Sequence, residues 1–444
     1  MWPHRQTHMP SVAHVPFAHV WWSWVAACCL LKDGVTATPV TDAVFDVTAF
    51  GARGDGVTVC TAAVEAAVLA CRQSDARWKR VVFPASNKTA TTTVFVVGPL
   101  DLSCNETVID VERGVVVRSV NTTLAWPLGP DCPEPAQGLT SHQAAPFVMV
   151  RDARNVTVTG GGTFDALGPM WWAEHCGNWW CPSWAHNSTP TNPYAWRPFM
   201  MRIMGSSDVS LIDITMLNCG FWCVVPTHST RVVVDNVTID TGGGGPNTDG
   251  IEPMWSTDVR VTNVNINNGD DCITVKSGSR DVFVENVRCR GSHGITIGSV
   301  WYDDVVNVTY RNITMIDCAN GPRLKGRRQG NATISNIVFE NVVLQGVDTG
   351  LAMDMVYETP GTHPNNTGVT AIDIYFVNIT GTVKQKPGDL QCLSSRKCKG
   401  VAVVNVQITQ SAADAESTSW SCGGLQTPRW VNVAPTPSAD CMSP

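Results

Sequence analysis

A short unit recurs along this chain: one polar residue, then a β-branched or aliphatic residue, then alternation of polar and apolar side chains. Copies of the unit begin at Asn155, Asp208, Arg231, Asp258, Asp281, Asn307, Asn336 and Asp373. From the second to the seventh copy, the starting positions lie 23 to 29 residues apart. Self-similarity at such a period predicts a solenoid, in which each repeat packs only on its neighbours. Longer spacings predict insertions near residues 165–200 and 355–370.

The solenoid is predicted to be a parallel β-helix. Each unit carries two or three short strands with period-2 alternation, bounded by Asn, Gly and Asp, and none carries a helix-length amphipathic run. One coil cannot bury its inward Val and Ile side chains alone. Coils stacked about 4.8 Å apart bury them in a continuous core and pair their backbone groups, except at the two ends. The predicted fold class is therefore all-β.

The ends of a β-helix need caps. An Ala-rich amphipathic segment from Thr61 to Cys71 follows the Gly-rich turn at residues 51–56 and predicts a short helix that covers the first coil. No charged or Pro/Ser-rich linker interrupts the repeats. We therefore predict one β-helix domain over residues 38–444.

Composition limits the classes of partner. The 444 residues include 43% apolar and 16% charged residues, with a formal net charge of −7 and a pI near 5.8. This balance argues against a nucleic-acid-binding protein, which usually carries a basic patch. A polyanionic substrate would have to be held by local cations. We expect a monomer, and the sequence implies neither a cofactor nor a metal site.

The N-terminus predicts secretion. Residues 1–19 contain Arg5 and no acidic residue, residues 20–31 are apolar, and Val35-Thr36-Ala37 offers small residues suited to cleavage. These features predict a signal peptide over residues 1–37 and an extracellular mature protein without membrane association. An uncleaved membrane anchor is the alternative, although the apolar stretch is short for a bilayer.

Cysteine usage agrees with an oxidising compartment. Fifteen of the 17 Cys follow the predicted signal peptide, so at least one mature thiol is unpaired. Three pairs are close enough in sequence to be plausible disulfides. These are Cys272/Cys289, Cys392/Cys398 and Cys422/Cys441.

Eleven Asn-x-Ser/Thr sequons predict a glycoprotein. They begin at Asn87, Asn105, Asn121, Asn155, Asn187, Asn236, Asn307, Asn312, Asn331, Asn365 and Asn378. The alternative interpretation is structural, because Asn favours turns and Thr favours the strands that follow them. We expect some of the sequons to be glycosylated and others to have only the structural role.

Four polar signatures are separated by about one coil each. They are Asn247-Thr248-Asp249-Gly250, Gly269-Asp270-Asp271, Gly291-Ser292-His293-Gly294 and Arg323-Leu324-Lys325. Steps of this length predict one column of polar side chains on a single face. Burial of an unpaired carboxylate is costly, so we expect these carboxylates to be exposed in a cleft.

Such a column suits the cleavage of an acidic sugar polymer. Clustered carboxylates raise one pKa, which keeps one acid protonated for the leaving oxygen while the others activate water. His293 can orient or tune that acid. Arg323 and Lys325 would face one side of a strand and bind a substrate carboxylate. Each residue alone has a structural interpretation, since Asp and His are common in turns and basic turns are usually only solvated.

In this order and spacing, the four signatures resemble those of the polygalacturonases of glycoside hydrolase family 28. The resemblance extends to residues 49–56, to Arg197-Pro198 and to residues 218–222. It implies a right-handed single-stranded parallel β-helix that hydrolyses α-1,4-galacturonan in pectin with inversion. Four ordered motifs are strong evidence, whereas any one alone would be weak.

The resemblance also implies roles for individual residues. Asp270 would be the general acid, with His293 assisting it. Asp249 and Asp271 would hold and deprotonate the attacking water. The expected substrate-binding residues are Asn247, Arg323, Lys325 and Tyr357. An inverting pair of carboxyl groups is expected about 6.5–9.5 Å apart, which leaves room for that water.

Alternatives remain open at this point. A rhamnogalacturonan or xylogalacturonan hydrolase would share the architecture. A β-helix pectate lyase would typically use calcium and an arginine base, and a non-catalytic β-helix would only bind polysaccharide. Ser292, Leu324 and Ile251-Glu252-Pro253 depart from the commonest family sequences. Exo and endo action cannot be separated from the sequence, because the loops at the cleft ends decide between them.

Overall fold

The computed structural model describes residues 42–86, 92–122, 126–127, 144–174, 197–357, 367–411 and 419–442. The predicted signal peptide at residues 1–37 lies outside these ranges. So do parts of both predicted insertions and the sequon asparagines Asn87, Asn187 and Asn365. Of the described helices, none is long and apolar enough to cross a bilayer.

Strands dominate the described residues, and the strand pairings are parallel. The strands of the N-terminal coils are β1 (Ala43–Asp46), β2 (Asp55–Val59), β3 (Lys79–Phe83), β4 (Thr93–Val97), β5 (Leu100–Asp101), β6 (Thr107–Val111), β7 (Val115–Ser119), β8 (Val148–Arg151), β9 (Arg154–Thr159), β10 (Thr163–Asp165), β11 (Met201–Met204), β12 (Ser207–Leu217), β13 (Val224–Thr227) and β14 (Thr230–Asp240). The remaining strands are β15 (Thr257–Asn267), β16 (Ile273–Val275), β17 (Arg280–Arg290), β18 (Ile295–Val300), β19 (Val305–Ile316), β20 (Pro322–Arg327), β21 (Thr333–Tyr357), β22 (Thr370–Gln391), β23 (Cys398–Gln410), β24 (Ser421–Gly423) and β25 (Arg429–Ala434).

The register confirms the sequence repeat. The residue after each repeat start pairs with its equivalent on the next coil. The paired series is Val156, Val209, Val232, Val259, Val282, Val308, Ile337, Ile374 and Val401. Equivalent positions therefore lie above one another, and the chain is a right-handed parallel β-helix, as predicted.

Each long strand bends at an asparagine or aspartate in the left-handed conformation. Asn312 and Asn341, for example, have φ of +57° and +56°. Asn tolerates this region better than other residues with a side chain. Its amide also bonds to the next coil: Asn341 Nδ2 donates to Asn312 Oδ1 at 3.1 Å, and Asn378 Nδ2 donates to Asn341 Oδ1 at 3.1 Å. This asparagine ladder reinforces the bend from coil to coil.

The interior is apolar and also has its own register. Tyr310, Phe339 and Phe376 occupy paired positions and stack with ring centroids 5.1 and 5.3 Å apart. The Tyr310 hydroxyl donates to a main-chain carbonyl at 2.9 Å, which satisfies its one polar group. Val, Ile and Leu fill most of the remaining core. Stacking thus buries side chains that no single coil could bury.

The predicted N-terminal capping helix is confirmed. Helix α1 spans Thr61–Gln73, two residues longer than the predicted segment, and packs on β1, β3 and β5. Its buried side chains are Val64, Ala67, Val68 and Cys71. Two other short helices are α2 (Gly168–Glu174) and α3 (Ala439–Met442), and a 3-10 turn spans Val47–Phe50.

The three plausible disulfides are present, namely Cys272–Cys289, Cys392–Cys398 and Cys422–Cys441. Two further disulfides join Cys71 to Cys104 and Cys219 to Cys223. Among the described cysteines, the buried Cys60 and Cys318 are free, which agrees with the expectation of an unpaired thiol. Cys71–Cys104 fastens the capping helix to the first coils.

The ladder predicts a cost for removing one of its members. Asn341→Ala deletes two inter-coil hydrogen bonds and places alanine at a positive φ. We expect the free energy of unfolding to fall by about 2 kcal/mol, measured by urea unfolding. Asn265→Ala, at an exposed position on β15, is the control and should change stability little. Equal effects of the two changes would contradict the ladder's contribution.

Candidate active site

One strip of short strands carries the site. Its successive members include β11, β13, β16, β18 and β20, followed by the last part of β21. Inward positions such as Ile273, Ile295 and Leu324 belong to the core. Their neighbours therefore point outward, which places Arg323 and Lys325 on the outer face. This confirms the predicted common side of the two cations.

The turns before these strands bring the carboxylates together. Gly250 N donates to Asp271 O at 2.9 Å, and His293 N donates to Asp270 O at 2.8 Å. Asp249, the Asp270-Asp271 pair and His293 therefore occupy consecutive coils. The predicted one-coil spacing of these three signatures is confirmed.

Arg323 does not continue the same column. It pairs with Thr296, so the coil step there is 27 residues, whereas His293 and Arg323 are 30 residues apart. Asn320 lies next to His293 instead, with its Nδ2 donating to the His293 carbonyl at 3.1 Å. The prediction of a single column is thus wrong at its last step, and the site has a turn row and an adjacent strand row.

Asp271 lies at the centre of the two rows. Lys325 Nζ is 2.5 Å from its Oδ2, and Thr296 Oγ1 donates to its Oδ1 at 2.9 Å. The exposed fractions of Asp271 and Lys325 are 0% and 7%. The expected exposure is therefore wrong for Asp271, because the ammonium and hydroxyl groups replace water around the carboxylate.

Asp270 is more accessible and belongs to a different network. Its Oδ1 is 3.1 Å from His293 Nδ1 and accepts from the main-chain N of Asp271 at 2.8 Å. Asn247 Nδ2 lies 3.5 Å from the other oxygen. The structure thus joins three of the predicted site residues around one carboxylate.

Asn268 holds these turns in place. Its Nδ2 donates to Thr248 O at 2.7 Å and to Asp271 O at 2.8 Å. Thr248 Oγ1 also accepts from Gly269 N at 3.0 Å. The sequence prediction missed Asn268, although it stands immediately before the Gly-Asp-Asp signature.

A second buried ion pair lies beside Asp249. Glu252 and Lys276 are 3.2 Å apart, and both side chains are almost completely inaccessible to solvent. Asp249 is itself only 4% exposed, so the expectation of exposure is wrong for it too. The prediction noticed Glu252 only as a departure from the commonest family sequence and missed Lys276.

Arg197 supports the Asn247 turn from the other side. One Nη donates to the Pro246 carbonyl and the other to Asn247 Oδ1 at 2.8 Å. Burial lowers the pKa of Arg197 to about 10, so it stays charged at neutral pH. The sequence prediction quoted Arg197 but assigned it no role.

Arg323 and Tyr357 form the far side of the site. The Arg323 guanidinium lies 5.8 Å from the Tyr357 ring centroid and 3.9 Å from Asp354. Lys325 Nζ also lies 5.8 Å from this ring, and Arg327 lies 4.6 Å from it. Tyr357 is therefore in contact distance of both predicted cations, as a cleft wall would be.

The carboxylates differ in their electrostatic surroundings. Burial, with the negative charges of Asp270 and Glu252, raises the pKa of Asp249 well above its ordinary value. Burial also acts to raise the pKa of Asp270, but the hydrogen bond and charge of His293 and the charge of Lys325 outweigh it. The pKa of Asp270 is therefore lowered. The hydrogen bond to Asp270 raises the pKa of His293.

The directions of these pKa shifts indicate which groups hold a proton most tightly. The negative charge of Asp270 is one cause of the raised pKa of Asp249, so Asp249 holds a proton more tightly than Asp270, whose own pKa is lowered by His293. Burial raises the pKa of Glu252 to about 7. The negative charges of Glu252 and Asp249 outweigh burial and raise the pKa of Lys276.

An oxygen of Asp270, an oxygen of Asp271 and a nitrogen of His293 lie within 4.8 Å of one another. This arrangement could hold a cation in principle, but the Lys325 ammonium already neutralises Asp271.

Known proteins are similar to this chain over most of its length. The family model described as glycosyl hydrolases family 28 matches residues 134–429. A probable polygalacturonase of Arabidopsis thaliana is 25% identical over 88% of this chain and 84% of its own length. An Arabidopsis thaliana exopolygalacturonase is 28% identical over 89% and 86%. The crystal structure of endo-xylogalacturonan hydrolase from Aspergillus tubingensis superposes with a TM-score of 0.68 and 21% identity, covering 86% of this chain and all of that one.

The raised pKa of Glu252 predicts a pH dependence of stability. Between pH 4.5 and 7, folded Glu252 keeps a proton that the unfolded state releases, so stability is highest below this range and falls as pH rises through it. We expect Glu252→Gln to remove roughly 3 kcal/mol of this decline, measured by urea unfolding at pH 4.5 and 7.5.

Glu285→Gln is the matched control, because Glu285 is paired with Arg311 at the surface of another strip. This control should keep the wild-type pH dependence. An unchanged decline in Glu252→Gln would show that this carboxyl titrates normally in the folded protein.

Proposed function

The chain belongs to glycosyl hydrolases family 28, and we propose that it is a secreted polygalacturonase. Its reaction would be hydrolysis of α-1,4-galacturonosyl linkages in pectin by an inverting acid/base mechanism. The Arabidopsis relatives, named as polygalacturonases, support this choice of substrate. A pectic polysaccharide is then the partner of the site.

One observation carries the proposal: acids and cations share the outer face over consecutive coils. Asp249 and Asp270 supply carboxyl groups for proton transfer, while Lys325, paired with Asp271, and Arg323 on the same strand supply positive charge. Cleavage of a neutral sugar would not require this positive charge. A polymer with a carboxylate on every sugar would be bound by charge-assisted hydrogen bonds.

We assign Asp270 as the general acid. In the free protein its pKa is lowered, so the acid must gain its proton when substrate binds. A galacturonate carboxylate beside it would add negative charge and raise its pKa. His293, bonded to Asp270 Oδ1, holds the carboxyl in place and can return the proton after each turnover.

Asp249 is assigned as the main group that activates water. Both oxygens of Asp271 are engaged by Lys325 and Thr296, which leaves that carboxylate little freedom to accept a proton. We therefore assign Asp271 to holding the water and to keeping Lys325 in position. Asp249 must lose its proton before it can act as base, so activity should depend on its ionisation.

The substrate-binding assignments follow from the walls of the site. Arg323 and Lys325 would bind one galacturonate carboxylate, and the Tyr357 ring beside them would pack on a sugar face. Asn247, fixed by Arg197, would orient a hydroxyl or carboxylate next to Asp270.

The setting of the enzyme is part of the same proposal. We propose that residues 1–37 are removed as a signal peptide and that the mature chain acts outside the cell. Five disulfides among the described residues suit that compartment. The sequons are proposed as partly glycosylated, although Asn312 and Asn378 also belong to the asparagine ladder.

The assay is incubation with polygalacturonic acid. The wild type should release reducing ends, and Asp270→Asn should lower kcat by a factor of about 10² to 10⁴, because the substitution removes proton transfer without changing shape. Asp258→Asn, at an exposed coil corner, is the control and should retain full activity. No reducing ends from the wild type would refute the proposed function.

The product distinguishes the mechanism. Proton NMR during early turnover should show a β-configured reducing end from the α-linked substrate, as inversion requires. A retained α-anomer would overturn the inverting mechanism. An unsaturated product that absorbs in the ultraviolet would indicate a lyase instead.

A further inference from the structure

We propose that Arg202 binds a second uronate carboxylate, on the N-terminal side of the catalytic carboxylates. The inference rests on the proposed function and adds a subsite to it. Arg202 lies on β11, between the core residues Met201 and Ile203, so its side chain points to the same outer face as the site.

Among the residues that the structure describes, Arg202 is a buried cation without an anionic partner. Five Arg and Lys side chains are buried among the described residues, namely Arg197, Arg202, Lys276, Lys325 and Arg327. The other four have a hydrogen bond or ion pair to an oxygen. Arg202 has neither in the described part of the chain, and its Nε has no acceptor.

An aromatic wall holds this side chain. The guanidinium lies 5.5 Å from the Phe199 ring centroid, and Phe199 stacks on Trp222 at 5.2 Å. Such a contact offsets only part of the cost of burying a charge. A carboxylate from a ligand would offset the rest of the cost of burying the Arg202 charge. The planar guanidinium can donate two parallel N–H hydrogen bonds to such a carboxylate.

The low exposure does not exclude a ligand. Arg202 is 3% exposed, close to the 4% of Asp249 and the 7% of Lys325, which lie in the floor of the same face. Its charge also acts on the exposed His228, where burial and Arg202 together lower the histidine pKa. Arg202 therefore belongs to the floor of the cleft and is not enclosed in the core.

The register gives the position of the subsite. Arg202 pairs with Val225, and the neighbouring Val224 pairs with Ile251, which places Arg202 two coils before Glu252. Arg323 lies three coils after Glu252. At one strand spacing per coil, the two cations are roughly 24 Å apart, with the catalytic carboxylates between them. An acidic polymer could then be bound on both sides of the scissile bond.

The test measures binding without hydrolysis. In an Asp270→Asn background, calorimetry gives the affinity for galacturonate oligomers of increasing length, and for the same oligomers with carboxyl groups reduced to alcohols. Arg202→Met keeps the length of the side chain and removes its charge. We expect it to weaken binding of the long acidic oligomers about tenfold or more and to leave the dimer and the reduced oligomers unchanged.

Arg260→Met is the matched control. Arg260 lies 4.8 Å from the Phe283 ring centroid on β15, outside the cleft strip, so it tests the loss of an arginine stacked on an aromatic ring. It should not affect binding. Arg202→Lys keeps the charge but not the two parallel donors, and we expect an intermediate loss. This variant also serves if Arg202→Met does not fold.

The outcomes separate the two proposals. Unchanged affinity at every length, or an equal loss for the dimer and the reduced oligomers, would overturn the Arg202 subsite while the polygalacturonase activity stands. Length-dependent loss in Arg202→Met, with a wild type that releases no reducing ends, would support the subsite and refute hydrolysis. No binding of any acidic oligomer would refute both.

Discussion

The in-register hydrogen bonding between coils is the constraint on which the rest of this molecule depends. Strand residues are hydrogen-bonded in register with the neighbouring coils, so a residue's position in the repeat determines its position on a face. Asp249, Asp270 and His293 are neighbours only because their turns are bonded to one another. The catalytic geometry is thus a property of the backbone ladder, which the core stack and the asparagine ladder reinforce.

Charge balance is the second determinant of the site. Two buried carboxylates are tolerated because each has a specific positive partner, Asp271 with Lys325 and Glu252 with Lys276. Charged neighbours also make the carboxyl groups of Asp249 and Asp270 different from each other. Burial among negative neighbours raises the pKa of Asp249, while His293 lowers the pKa of Asp270. Two chemically identical side chains on adjacent coils therefore have pKa values shifted in opposite directions by their surroundings.

Much of the fold could be predicted from the sequence because repeats, turn residues and strand alternation are local patterns. The period of the repeat predicted the stacked coils, and the Ala-rich segment predicted helix α1. Short-range cysteine pairs were also predictable. The Glu252–Lys276 pair, the support from Arg197 and the Cys71–Cys104 disulfide were missed because they depend on contacts between distant segments. The single column failed at its last step because Asn320, 27 residues after His293, takes the turn position, and Arg323 lies three residues beyond it on the strand; a periodic average does not reveal this offset or the length of that coil.

That irregular coil length has an evolutionary consequence. From the repeat copy at Asp208 to the copy at Asp373, equivalent strand positions are paired although the steps between them vary from 23 to 37 residues. Most added residues are therefore absorbed in the turns, and strand pairing resumes beyond them, with local register shifts at a few bulges. Related chains can therefore differ in turn length while Asp249, Asp270 and His293 remain neighbours on consecutive coils. Changes in turn length alone can then alter the surroundings of these side chains.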